Sequence, residues 1–266
     1  MEAKGKMTIP CYLRCYVDSG IKKGRFEPKF KPKPNNSTVL VFDTETTTDQ
    51  HQNLLFGSCG KWVNGRLEFM YLFYADDLPK KQIDVITKYG KKHNYVVLSR
   101  KDFVERIFLR NIYNARAKCV GFNLPFDLSR LAIDFTKSRK MRNGFTLKLS
   151  SDFRFPRIII RNISSKASFI EITIPVRKKT EKDTERYRGS FVDLKTVTFA
   201  LTNESYSLKT ALEKFGCMKK IDTDTHGIIN EKYLDYNIND TLATHELYEK
   251  CLERYVMYDL ATDIAK

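Results

Sequence analysis

Asp43 and Glu45 stand two residues apart in the stretch "VLVFDTETTT", directly after an apolar run. Val, Leu, Val and Phe in succession read as a buried β-strand, and a strand turns residues i and i+2 to the same face. Two carboxylates aimed at one point oppose each other's ionisation, so they call for a cation or a shared proton between them. A second Asp-x-Glu, Asp183 and Glu185 in "KKTEKDTERYRG", follows no strand and reads as solvated charge. The spacing alone is therefore weak evidence, and what sets the first pair apart is its place at a strand end.

Two further stretches could aim carboxylates at the same place. "CVGFNLPFDLSRLA" puts Asp127 in the first turn of a helix after a short buried strand, four residues beyond Asn123. A carboxylate there suits a helix cap as well as it suits a site, because the free N–H groups of a helix start attract negative charge. "YLDYNINDTLATHELY" puts Tyr236 and Asp240 at i and i+4, on one helix face. Tyr255 and Asp259 repeat that spacing near the end of the chain, so spacing does not choose between the two pairs. His245, beyond Asp240, and His226, upstream of it, read as bystanders.

The elements that must position these residues follow from periodicity and turn chemistry. "STVLVFDTETT" is a first strand, and "NLLFGSCGKWVNGRLEFMYLFY" gives two more around the hairpin dipeptide Asn64-Gly65. "RKDFVERIFLRNIYNARA" has helical spacing, "KCVGFN" is a short buried strand, and "LPFDLSRLAIDF" opens on Pro125 and continues as a helix. "FRFPRIIIRNISSKASFIEITI" reads as a hairpin turning near Ser164 and Ser165. A charged loop follows, then "SFVDLKTVTFAL" beginning as a strand and "SYSLKTALEKFG" as a helix stopped by Gly216. The remainder closes the chain as one or two helices. This order is α/β with a mixed central sheet, the order of the ribonuclease H-like fold.

The chain has 266 residues, of which 42% are hydrophobic, enough for one large domain with an elaboration. Residues 1–37 form a basic Pro/Lys-rich lead-in, residues 38–266 the main domain, and an inserted hairpin with a basic loop occupies about 148–189. A formal net charge of +15 points to a polyanionic partner, since a basic protein gains affinity for nucleic acid by releasing condensed counterions. No apolar run approaches the roughly 20 residues of a membrane span, and the amino terminus lacks a secretory segment. The expected location is intracellular, cytoplasmic or nucleoid-associated, with no membrane partner. Six scattered cysteines show neither a zinc spacing nor a disulfide framework and read as reduced, with Cys119 and Cys217 in the core.

"FDTETT", "GFNLPFD" and "YNINDTLATHELY", in that order, resemble the three exonuclease motifs of the proofreading domain of family B DNA polymerases, the DEDDy group of DnaQ-like 3′-to-5′ exonucleases. "FVDLKTVTFALTNESYSLKTALEKFG" is similar to the segment between that family's second and third motifs, and the resemblance spans roughly residues 38–255. It implies that Asp43, Glu45, Asp127 and Asp240 hold two divalent cations, Mg²⁺ or Mn²⁺, and that Tyr236 orients or helps activate the attacking water. Glu45 would also touch the terminal 3′-hydroxyl, and Asn123 and Phe126 would line a single-strand channel. The Asp-Thr-Asp of "KIDTDTHG" is similar to a polymerase metal motif, yet it precedes the third exonuclease motif and reads as an acidic loop.

The expected activity is metal-dependent hydrolysis of phosphodiester bonds from a DNA 3′ end, preferably single-stranded. Its rivals are the same chemistry on RNA, as in the similar ribonuclease D group, and an inactive nucleic-acid-binding module. A polymerase or other replication or DNA-processing protein is the protein partner such a resemblance implies, and the chain would be a stand-alone enzyme or part of a longer one. Within the insertion, Arg154, Arg157 and Arg161 are expected on strands, and Arg177, Lys178, Lys179, Lys182, Arg186 and Arg188 follow in a stretch too polar to pack. These are either sheet-edge charges or a grip on the phosphate backbone.

Overall fold

Val39, Leu40, Val41 and Phe42 are all buried, and they form the middle of β1 (Asn35–Thr46), from which the central sheet grows in both directions. The computed structural model describes residues 33–138, 144–164, 167–173, 187–219 and 226–264, with side chains as far as 254. The lead-in before residue 33 lies outside the described residues. So do Asp183, Glu185, Arg177, Lys178, Lys179, Lys182, Arg186, the Asp-Thr-Asp stretch, and the side chains of Tyr255 and Asp259.

On one side of β1, β2 (Leu54–Val63) and β3 (Arg66–Tyr74) pair antiparallel in turn. The Asn64-Gly65 turn between them has positive φ at both residues, 52° and 78°, which suits a two-residue hairpin. Helix α1 (Lys80–His93) then leads to β4 (Val96–Ser99), which lies parallel to β3 at the sheet edge. On the other side of β1, β5 (Ala117–Gly121) pairs in parallel, followed by a further parallel strand, Phe191–Asp193. The fold is α/β with a mixed central sheet flanked by helices. Among the described residues, no helix is long and apolar enough to cross a membrane.

α1 and β4 fall in a stretch where no element is expected from the sequence. Elsewhere the structure changes the kind of element. "RKDFVERIFLRNIYNARA" is helical, but only Arg100–Asp102 is α; Phe103–Phe108 and Arg110–Asn114 wind as π-helix, and the whole is α2. The Leu109 N–H reaches back five residues to the Val104 carbonyl. That wider turn accompanies Phe103 stacked on Phe73 at 4.1 Å and Phe108 set edge-on to Phe42 at 5.3 Å.

The helix opened by Pro125 does not continue to Phe135. α3 (Leu124–Leu131) stops, Ala132 turns extended, and the Ile133 N–H donates to the Lys148 carbonyl at 2.8 Å, so a strand partner takes the backbone over. The insertion is accordingly larger than a hairpin. β6 (Asp134–Lys137), β7 (Gly144–Lys148), β8 (Ile158–Ser164) and β9 (Ala167–Ile172) form a four-stranded antiparallel sheet. The expected hairpin is its β8–β9 half. Leu147, Ile158, Ile160 and Ile172 share one face of it and join the core cluster that holds α2 and α3. Arg154 and Arg157 precede β8, and only Arg161 of the three lies on a strand.

The chain returns through β10 (Phe191–Asp193) into α4 (Leu194–Thr202) and α5 (Leu208–Phe215), which ends on Gly216 at φ 71° as expected. It closes as one helix, α6 (Glu231–Ile264). α6 packs through Ala243, Leu247 and Tyr248 against Val39 and Val41 of β1. α3 packs through Leu124 and Leu128 against Leu40 and Phe42, on the opposite face. The four described cysteines are free; Cys59, Cys119 and Cys251 are buried, and Cys217, expected in the core, is only half-buried.

Candidate active site

The sheet order is β10-β5-β1-β2-β3-β4, so the connections diverge from β1 in opposite directions. Such a switch point leaves a crevice at the carboxyl end of the strand. Asp43 and Glu45 sit at that end, with Thr44 between them facing the other way. The pleat acts as the sequence predicts: the Asn237 side-chain amide donates to Asp43 Oδ2 at 2.7 Å and to Glu45 Oε1 at 3.3 Å. The other Glu45 oxygen accepts from the Tyr233 hydroxyl at 2.7 Å.

The fit of helix to strand is made by small groups. Ser58, the register partner of Asp43, meets the Asn237 carbonyl at 3.2 Å and the Thr241 hydroxyl at 2.7 Å. Gly57 lies opposite Thr44, where a Cβ would stand 2.5 Å from the Asp43 carbonyl oxygen and 2.4 Å from the Phe73 ring. Only glycine lets β2 approach so closely.

Asp127 comes from the other face. It is 3% exposed and accepts from the Thr44 hydroxyl at 2.6 Å, so the residue between the two strand carboxylates holds the third. Burial, and then the charges of Asp193 and Glu45, push its carboxyl up to about 8 against the hydrogen bonds from Thr44. It is not simply a cap. The helix start is held instead by Asp193, whose Oδ1 accepts from the backbone N–H groups of Asn123 at 2.8 Å and Leu124 at 3.1 Å. Asn123 takes up φ 75° there, the left-handed region that asparagine tolerates.

Tyr236 and Asp240 share a helix face as predicted and are buried at 8% and 3%. On the neighbouring row of α6, Tyr233 and Asn237 donate to the strand carboxylates. His226, expected as a bystander, sets its ring edge-on to both Tyr233, at 5.6 Å, and Tyr236, at 5.3 Å. His245 is remote in role, stacked on Trp62 at 4.0 Å.

Phe126 lines a cleft of about 830 Å³ beside this cluster, together with Arg130, Ile133, Phe135 and Phe145. The Arg130 guanidinium lies 4.9 Å over the Phe126 ring and donates to the backbone carbonyls of His51 and Gln52. Of the insertion's basic residues, Arg154 is paired with Asp152 and Arg188 lies 3.8 Å from Glu171. Arg177, Lys178 and Lys179 are outside the described residues.

The donor set is hard oxygen, the kind that Mg²⁺ and Mn²⁺ prefer. Among the described residues, no three His, Cys, Asp or Glu side chains converge as a ready cage for a metal ion. What fits a cation is the crowding of acids: Asp127 buried near Glu45 and Asp193, which resist its ionisation, and two strand carboxylates sharing one amide. Each carboxylate oxygen that accepts one N–H or O–H keeps a second lone-pair direction. Thr44, Tyr233, Asn237 and Asp193 contact the candidate acids or the start of α3, and motif spacing does not single them out. Thr44 lies between the two strand acids, and Tyr233 and Asn237 lie one helical turn apart, the available signal. Compared with models of known protein families and with curated proteins, the chain matches none.

Proposed function

We propose that this chain is a metal-dependent 3′-to-5′ exonuclease of ribonuclease H-like, DnaQ-like fold, acting on single-stranded DNA ends. The observation that carries the reading is the concentration of acid at the switch point, where the half-buried Asp43 and Glu45 meet one amide and the buried Asp127 is held by Thr44. The growth of the sheet from β1, with β2 alone antiparallel to it among its neighbours, supports the fold assignment. So does the order of the three motifs along the chain.

In this reading Asp43, Glu45, Asp127 and Asp240 hold two divalent cations, Mg²⁺ or Mn²⁺, which when bound supply Lewis acidity to the attacking water and the departing 3′ oxygen. The protein's own groups do the rest. Asp193 fixes Asn123 and the start of α3, and thereby the direction of Asp127. Thr44 keeps Asp127 turned toward the strand end. Tyr236 orients the water, and Asn123 and Phe126 receive the terminal nucleotides, with the Arg130 guanidinium stacked behind Phe126. An aromatic face backed by a cation suits an unpaired base of any sequence.

Matched DNA and RNA oligonucleotides with single-stranded 3′ ends, incubated with Mg²⁺, Mn²⁺ or EDTA, test this directly. The expected outcome is stepwise shortening of the DNA from its 3′ end with either metal and none in EDTA. Faster shortening of the RNA would move the substrate to RNA, and intact oligonucleotides bound but uncleaved would leave a nucleic-acid-binding module.

A further inference from the structure

Asn237 is fully buried, and its side-chain NH₂ is divided between Asp43 Oδ2 and Glu45 Oε1. An amide has two N–H donors, so one goes to each carboxylate of the pair. The orientation is fixed by charge, because the flipped amide would aim its oxygen at two anions. Its own Oδ1 is buried without a hydrogen-bond partner among the described residues. A buried acceptor left unsatisfied opposes folding. The side chain is therefore poorly explained as a fastener of α6, a task that Ser58 performs through the Asn237 carbonyl and the Thr241 hydroxyl. Four residues earlier on the same row, Tyr233 gives its hydroxyl to the second oxygen of Glu45, and its ring sits edge-on to Phe56 at 5.1 Å.

We propose that Tyr233 and Asn237 are positioning residues for the Asp43–Glu45 pair: together they offset its repulsion and hold both carboxylates in the orientation that takes a divalent cation. The inference rests on the metal-dependent reading above and extends it to residues outside the three motifs' acids and Tyr236. One amide spanning two carboxylates sets their separation, and the tyrosine hydroxyl sets the rotation of the longer one. Without these donors the pair would splay to relieve its repulsion and would have to be reassembled each time a cation binds. Outer groups that orient metal-binding carboxylates typically contribute about 10–100-fold in metal affinity.

The test is Mn²⁺ binding to the full chain by isothermal titration calorimetry, without nucleic acid, for wild type, Asn237→Ala, Tyr233→Phe and Ser58→Ala. Asn237→Ala is expected to bind Mn²⁺ about 10–100-fold more weakly. Tyr233→Phe keeps the ring packing and so guards against loss of fold; it is expected to bind about tenfold more weakly, with turnover restored at saturating Mn²⁺. Ser58→Ala loosens the same helix without touching a carboxylate, and should lower the melting temperature while leaving Mn²⁺ affinity unchanged. Equal affinities for wild type and Tyr233→Phe would overturn the proposal, as would an equal loss in Ser58→Ala and Asn237→Ala. A wild type that binds no Mn²⁺ and cleaves nothing would instead remove the metal-dependent reading, and this inference with it.

Discussion

Each candidate acid has its own surroundings, and these decide what its removal does. Asp43 and Glu45 lean on α6 donors, Asp127 on Thr44, and Asp240 is buried on α6. In the proposed metal-dependent reading, replacing Asp43 or Asp240 by Ala would remove a ligand and relieve repulsion at once. Cleavage is therefore expected to fall by about 1000-fold or more while the melting temperature in EDTA holds or rises. Single-turnover kinetics alongside thermal melts check this, and near-wild-type turnover in either variant would show the site to be misplaced. Tyr236→Phe should slow the reaction less than either change, and Tyr255→Phe hardly at all; the reverse order would mean that the later Tyr-Asp pair is the working one.

Between elements, the site depends on how closely β2 and α6 approach β1. Gly57→Ala would push a methyl group into the Asp43 carbonyl and the Phe73 ring, neither of which can swing clear. Overpacking of this kind costs about 1–3 kcal/mol, so chemical denaturation should show a loss of that size, with activity lost as the end of β1 shifts. At the far side of the same helix, His245 stacks on Trp62 with its side chain 10% exposed, and burial lowers its pKa from 6.5 to about 4. A depressed histidine pKa means the fold prefers the neutral ring. Its contribution is full above the unfolded value and is lost as the pH falls from about 6.5 toward 4. Glu249, 3.8 Å from Nδ1, offsets part of that loss. Relative to His245→Phe, which keeps the stack and cannot titrate, wild type should lose roughly 2–3 kcal/mol between pH 7.5 and pH 4. Parallel stability curves for the two proteins would show that His245 titrates alike in the folded and unfolded chains.

For the molecule as a whole, the formal charge of +15 is the term that reaches furthest. Pairing of Arg154 with Asp152 and of Arg188 with Glu171 takes two insertion cations partly out of play. If the insertion grips a phosphate backbone, the densest run of its other cations is Arg177, Lys178 and Lys179. Neutralising these three together should weaken DNA binding and reduce the log–log salt slope by about 0.7 for each phosphate no longer neutralised, with saturating turnover little changed. An unchanged affinity and slope across the salt titration would assign that stretch to solvated surface, and the basic lead-in would be the next place to look.

Periodicity and turn chemistry made much of this legible from the sequence: the β1 strand, its hairpin through Asn64-Gly65, the helix that opens on Pro125, and the common face of Tyr236 and Asp240. These are local properties, fixed by a pleat, a left-handed turn or an i,i+4 spacing. Three decisions needed partners distant in the chain. Strand β6 exists because the Lys148 carbonyl captures the backbone that would otherwise extend α3. The role of Asp127 was ambiguous until Asp193, far along the chain, took over the helix start. Above all, two neighbouring rows of α6 carry polar residues, and helical spacing alone does not pick out Tyr233 and Asn237 as donors to the strand acids. The seating of Ala243, Leu247 and Tyr248 on Val39 and Val41 decides it, because a helix's rotation about its axis is set by what it packs against.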